Sequence, residues 1–352
     1  TNGKRDKRGI LVYIYIVQCQ MVRNKLNLLM SIILVSGVIF FTGAHEYIFA
    51  IDFDEQFDYP LNVDIKPLVQ EVLSGKQPSI TPINYYPYKF LSNSGICEMG
   101  DKIDLFLVIK SAMKNFGHRS AIRETYAREV VSGKSVKFLF FIGAREPNDL
   151  KDAVQRKINF EMEQHKDIIQ IDFKDDYYNN TIKTMSSFRW LYEHCSSVDF
   201  YFFTDDDMYV SVKNIFKYIE NLPKSNPKKI DLYAGYVLQS RPLRVAWSKW
   251  RVSLEEYPWS RWPPYVTAMG YLLSNKSMKK MYAGSLFVKH FRFDDIYLSI
   301  VAYKVGITPI HCSQFYFYKK PYDKEGYKNV IVSHGFNDHD ELVRVWNDQN
   351  DM

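Results

Sequence analysis

Two hydrophobic regimes follow one another along this 352-residue chain. The first is one uncharged run, Leu26 to Ala44 (LNLLMSIILVSGVIFFTGA), 19 residues long and close to the roughly 20 a helix needs to cross a bilayer. A cleaved signal sequence has a shorter apolar region, usually about 7–15 residues, ending at a small-residue cleavage site. The run 26–44 is therefore read as a membrane anchor. Arg23 and Lys25 precede it, whereas residues 46–64 carry Glu46, Asp52, Asp54, Glu55, Asp58 and Asp64 with no Lys or Arg. Because positive charge stays on the cytoplasmic side, residues 1–25 are expected in the cytoplasm and everything after Ala44 in the lumen. A second apolar stretch, 10–22, has 13 residues including two Gln and is a poor span. Reading from Met21 gives a short basic tail, MVRNK, directly before the anchor, so residues 1–20 are expected to lie outside the native start.

From Glu46 to about Met99 the chain is first acidic and then rich in Pro, Asn, Ser and Tyr without sustained periodicity, which reads as a lumenal stem over 45–99. The second regime then begins. Short apolar runs, LFLVI (105–109), VKFLFFIG (136–143), DIIQIDF (167–173) and DFYFFT (199–204), alternate with helix-like stretches over 117–128, 147–165 and 181–194. Such alternation predicts an α/β domain over 100–352 built on a mainly parallel sheet, with its active site at the carboxyl ends of the strands. Neither GxGxxG nor GxxxxGK[ST] occurs, which excludes a dinucleotide fingerprint and a P-loop. From Gly235 onward the pattern turns aromatic and irregular, as expected of a substrate platform.

Composition alters this picture little. With 46% hydrophobic and 24% charged residues the chain can build a core. The net charge of +6 owes most to residues 1–25, which hold six basic residues against Asp6, so it is no argument for a nucleic-acid partner. The four cysteines form no CxxC and no zinc-like Cys/His spacing. A disulfide among Cys97, Cys195 and Cys312 suits an oxidising lumen, with its pairing open.

Candidate chemistry begins with Thr204-Asp205-Asp206-Asp207, directly after the strand FYFF. Clustered carboxylates are costly without a cation, and oxygen ligands suit a hard ion such as Mn²⁺ or Mg²⁺; the plain alternative is an acidic surface loop. Arg119 and Arg123 are spaced i, i+4 near a helix start, where an anion is favoured, or are simply solvated arginines. Lys183 in the first turn of the next helix is either a phosphate contact or a surface lysine. Asn179 and Asn275 head glycosylation sequons. The aromatic run Trp247, Trp250, Tyr257, Trp259, Trp262 and Tyr265 is either core or a sugar-binding face. Asp294 and Asp295 open a predicted helix, where one of them could be a capping acid.

Together HRSAIRETY (118–126), DFKDDYYNNTIKT (172–184), FRWLYEHC (188–195), TDDDMYV (204–210), SKWRVSLEEYP (248–258), WPPYVTAMGYLLS (262–274), FDDIYLSIVAYKVGI (293–307) and VSHGF (332–336) resemble the β-1,3-glycosyltransferase family of galactosyl- and N-acetylglucosaminyltransferases, nearest its invertebrate brainiac-type branch. The resemblance implies a GT-A fold, a type II Golgi anchor and an inverting, metal-dependent transfer of N-acetylglucosamine from UDP-GlcNAc to a mannose-terminated glycolipid, with galactose from UDP-Gal as the alternative. It implies Mn²⁺ on Asp207 with Asp205 and Asp206 supporting and His334 as a further ligand. Arg119, Arg123, Asp172 and Lys183 would hold the nucleotide, and Asp295 would act as base with Asp294 positioning. The sequence departs from the family at Ala268-Met269-Gly270, where many members have glycine first. A lectin has no need of a base, and a glycosidase would need two acids flanking one bond without a diphosphate site.

Overall fold

The apolar N-terminal run forms part of one helix, α1 (Gly3–Thr42), in a computed structural model that describes residues 3–97, 102–144, 153–195, 197–223, 226 and 229–351. Its stretch Leu11–Thr42 is long and apolar enough to cross a membrane by length and composition. The upstream segment 10–22, expected as a separate stretch, continues the same helix. Gly43, at φ 71°, ends it and turns the chain into the short α2 (Ala44–Ile48). The chain divides into two units: the N-terminal part through Phe57 with Arg241–Arg261, and Asp58–Ser240 with Trp262–Met352.

In the second unit the sheet follows the apolar runs. Its strands are β1 (Ile103–Lys110), β2 (Val136–Ala144), β3 (Ile168–Lys174), β4 (Val198–Asp205), β6 (Tyr233–Leu238), β7 (Tyr265–Ser274) and β8 (Ile310–His311), while β5 (Met208–Val210), β9 (Phe315–Tyr316) and β10 (Val332–His334) form a small second sheet. The large sheet runs β3-β2-β1-β4-β7-β6-β8. Strands β3 through β4 are mutually parallel, as predicted; β7 lies antiparallel to both β4 and β6. β1 and β4 are covered on both faces, which is why they read as continuous apolar runs with no alternation. Gly235 on β6 is required where Val266 and the Gly270 carbonyl press on it, a Cβ there falling 2.9 Å from Gly270 O.

Residues 58–97, expected as stem, join this unit. Its α3 (Lys66–Leu73) follows the buried Tyr59 and Ile65 and itself buries Leu68 and Val69. The helices that follow are α4 (Phe116–Glu124), α5 (Ala153–His165), α6 (Asn180–His194), α7 (Val212–Glu220), α8 (Asn275–Ser285), α9 (Asp294–Val305), α10 (Lys324–Tyr327) and α11 (His339–Gln349). Local chemistry marks their ends: Ser211 and Ser274 accept capping bonds at the starts of α7 and α8, and Gly306 in the left-handed region closes α9. The expected helix 117–128 breaks at Thr125, whose backbone leaves the helical region, and continues as a single 3₁₀ turn. Residues 147–152 of the expected helix 147–165 lie outside the described residues.

Cys97 is disulfide-bonded to Cys195, with Cα atoms 5.3 Å apart, and Cys312 is a buried free thiol. The two sequons separate clearly. Asn275 is buried in the first turn of α8, its amide nitrogen donating to Val198 O, so the fold covers the second sequon. Asn179 is half-buried next to the exposed Tyr177 and Tyr178, its amide nitrogen donating to Lys174 O at 2.8 Å. Expressed through a secretory pathway, the chain should lose its enzymatic deglycosylation shift on gels in Asn179→Gln and keep it in Asn275→Gln.

Candidate active site

Parallel pairing of β1 with β4 sets Lys110 beside Asp205 at the carboxyl edge of the sheet. The Lys110 ammonium, almost wholly buried, lies 3.1 Å from Asp205 Oδ1 and 2.7 Å from Asp294 Oδ2, and Thr184 of α6 donates to the same Asp294 oxygen at 2.8 Å. Burial acts against the charged lysine, but the two carboxylates outweigh it and hold its pKa above the ordinary value. Burial likewise acts to raise Asp294, yet Lys110 and Thr184 hold it below the usual carboxylate range. Asp205 goes the other way: burial, with help from Asp294 and Asp207, pushes it up to about 6 against the pull of Lys110.

Neither Asp294 nor Asp295 is the helix cap expected of one of them. The cap position of α9 is Phe293, and both acids stand in the first turn, where the helix dipole favours negative charge. Asp295 is half-buried and accepts from the Ile296 amide at 2.8 Å, with no side-chain donor reaching it among the described residues. Burial and the neighbouring Asp294 raise its pKa to about 7. The pair thus divides into one acid neutralised by Lys110 and one left available.

The three consecutive acids also divide. Asp206 is buried and accepts from Ser111 Oγ at 2.6 Å and Asn115 Nδ2 at 2.9 Å, so it braces the turn after β1 and does not join Asp205 and Asp207 in a common cation site. Asp207 meets His334 Nε2 at 3.1 Å, because β10 pairs antiparallel with β5 and brings His334 opposite Met208. Burial would raise Asp207, but the His334 contact prevails and lowers it; the same contact raises His334. Among the described residues no three His, Cys, Asp or Glu side chains form a ready-made ion cage. Asp207 and His334 do supply an oxygen and a nitrogen donor side by side, a set that fits a divalent ion whose other ligands come from substrate and water.

The basic residues expected to hold a nucleotide are spent within the protein. Arg119 is fully buried and donates to Glu161, Ser111 Oγ, Ala112 O and Met113 O. Arg123 binds Asp167 through two nitrogens and Glu161 at 2.8 Å. Their i, i+4 spacing does give one face, but the anion it meets is Glu161 of α5. Lys183 is buried between Ser111 O and Asp175 Oδ1, each at 2.7 Å. Asp172 is exposed on β3, and the structure does not bring it to this cluster. The aromatic run splits as well: Tyr257, Trp259 and Trp262 are buried, whereas Trp247 and Trp250 are exposed. Met269, in the segment that departs from the family pattern, accepts from Thr204 through its carbonyl at 3.2 Å.

Lys110, Ser111, Glu161 and Asp175 were missed in the sequence. A signal existed for one of them, since a lysine ending the buried strand LFLVIK must find an anion. The others are ordinary polar residues whose partners come from distant segments.

The carboxyl edge of the parallel strands thus carries Asp205 beside Asp294, and the small sheet adds His334 against Asp207. The family model described as Galactosyltransferase matches residues 117–313. The Drosophila melanogaster protein named Beta-1,3-galactosyltransferase brn is 38% identical over 311 residues, covering 88% of this chain and 91% of its own. Human Beta-1,3-galactosyltransferase 1 is 33% identical over 270 residues, 76% of this chain and 80% of its own. The chain belongs to the galactosyltransferase family. Among solved structures, the galactosyltransferase LgtC in complex with donor and acceptor sugar analogues aligns with 68% of this chain and 95% of its own, at 12% identity and a TM-score of 0.36.

Lys110→Met keeps side-chain bulk while leaving Asp205 and Asp294 buried without their cation. Breaking such a group costs about 3–5 kcal/mol, so urea unfolding should show a loss of that order, and a loss under about 1 kcal/mol would show that the lysine is not what neutralises the acids.

Proposed function

We propose that this chain is a β-1,3-glycosyltransferase that inverts configuration, requires a divalent cation such as Mn²⁺, and uses Asp295 as its general base. The observation that carries the reading is the division of labour among the acids: Lys110 and Thr184 occupy Asp294, while Asp295 keeps a carboxylate free of ion pairs and apart from Asp207 and His334. In the reaction the acceptor's 3-hydroxyl oxygen attacks the anomeric carbon as its proton passes to Asp295. The bond from that carbon to the diphosphate breaks and its electron pair leaves with UDP. A cation held by Asp207 and His334, with Asp205 nearby, would offset the charge growing on the diphosphate. Arg119, Lys183 and Asp206 serve as positioning residues: they fix the turn 110–113 on which this edge is built, and Arg123 shares Glu161 with Arg119.

For the sugars we infer transfer of N-acetylglucosamine from UDP-GlcNAc to a mannose-terminated glycolipid, on the resemblance of SKWRVSLEEYP, WPPYVTA and FRFDDIYL to the brainiac-type branch. The names of the relatives favour a second reading, galactose transfer from UDP-Gal. The apolar run 26–44, the basic residues before it and acidic residues after it, and the Cys97–Cys195 bond support a single-pass type II protein of the Golgi membrane with 45–352 lumenal, since disulfides persist in oxidising compartments.

Purified full-length protein supplied in parallel with UDP-GlcNAc and UDP-Gal on mannose-terminated glycolipid should yield a β-1,3-linked N-acetylglucosaminyl product; a product from UDP-Gal alone would establish the second reading. Asp295→Asn should lower turnover about 10²–10⁴-fold, the usual worth of a general base, while calorimetric UDP affinity in Mn²⁺ is retained. Asp207→Ala should weaken that affinity. Because a base acts only when ionised and burial has raised Asp295 to about 7, wild-type turnover should climb as pH rises through about 7 and level off above it. A wild-type rate in Asp295→Asn would remove the base from this residue.

A further inference from the structure

The segment Arg241–Arg261 belongs to the same unit as α1, and its contacts fasten it to the lumenal end of that helix. Ala246 N donates to Phe41 O at 3.0 Å, Arg244 N to the Tyr47 hydroxyl at 3.2 Å, and the Arg251 guanidinium pairs with Glu46 at 2.6 Å. Gly43 makes the approach possible: a Cβ on it would fall 2.5 Å from Arg244 O. Two aromatic residues of this loop, Tyr257 and Trp259, are buried within the unit, but Trp247 is 72% and Trp250 49% exposed. The Lys249 ammonium stands 4.5 Å from the Trp250 ring centroid.

We propose that this loop is a membrane-interface foot, whose partner is the headgroup layer of the same bilayer that α1 crosses. The inference rests on the reading of α1 as a membrane anchor. Beyond a hydrocarbon core of about 30 Å, each interfacial layer is roughly 5–8 Å deep. Trp247 follows directly on the residue bonded to Phe41 at the end of the apolar run, which sets it at that level. Indole suits this layer because its ring is apolar and its N–H polar, and Lys249 brings a cation to the phosphates. Ile48 and Phe49, exposed just beyond α1, make the apolar surface continuous with the span.

All six tryptophans lie outside α1, so their emission reports only on the rest of the chain. The full-length protein is reconstituted into phosphatidylcholine vesicles brominated at shallow acyl positions, with unbrominated vesicles as reference. The wild type should lose up to about a third of its emission, two of six tryptophans being at the interface, and W247F/W250F should lose almost none. A wild type that is not quenched, or an equal loss in the double variant, overturns the proposal; W247Y/W250Y gives the same comparison should the phenylalanine pair fail to fold. Flotation after an alkaline wash separates the two levels. A chain that floats without quenching loses only the interface assignment, whereas one that does not float loses the anchor and the foot with it.

Discussion

The ammonium of Lys110 is what allows several carboxylates to share one edge of the sheet. Asp205 ends β4, Asp294 opens α9, and both are turned toward an interior where an unpaired charge would be prohibitive. One buried cation between them meets that cost. It also separates acids that would otherwise titrate together: Asp294 is held below the usual carboxylate range, while Asp295, one residue further along the same helical turn, is pushed upward by burial and then by its neighbour's negative charge. A carboxyl with a pKa near the working pH is what a general base requires, so the lysine shapes the proposed chemistry without being assigned any contact with substrate.

Lys110 is held in turn by the residues that follow it. Ser111 accepts from Lys183 through its carbonyl and from Arg119 through its hydroxyl, and donates that hydroxyl to Asp206; Ala112 accepts from Arg119 through its carbonyl. Every donor here is in a low-dielectric setting where an unmade bond costs more than a made one gains. That asymmetry explains why so many conspicuous charged residues serve the scaffold. A guanidinium with its donors satisfied by Glu161 and carbonyls is a rigid brace, and the turn it braces carries the lysine.

The unit containing α1 shows a different use of the same residue types. There Glu46 accepts from Arg251 and from the Leu254 amide, and Arg244 donates to Val252 and Tyr257 carbonyls. These bonds tie a loop remote in sequence to the residues just after the apolar helix. The aromatic run that looked like a sugar platform is divided by this anchoring into buried rings that hold the loop and exposed rings that do not.

The alternation of apolar runs and helix-like stretches was enough for the strands β1 to β4, for α6 and for most of α4, because a strand covered on both faces is a continuous apolar run and a helix has its own spacing whatever it packs on. The edge bearing Asp205, Asp207, Asp294 and Asp295 was legible for a related reason: residues directly after a buried strand or at a helix start inherit their place from local structure. Tertiary contacts decided the rest. No local rule tells Asp206 from Asp207, yet one meets Ser111 and Asn115 and the other His334, since β10 happens to pair with β5. Nor can spacing say whether Arg119 faces a ligand or Glu161, or that Cys97 bonds Cys195 and residues 58–97 fold onto the domain they were expected to tether. A charge or thiol in a sequence states only that a partner is needed. Which partner it finds depends on chain segments tens to hundreds of residues away, and only the folded structure brings those together.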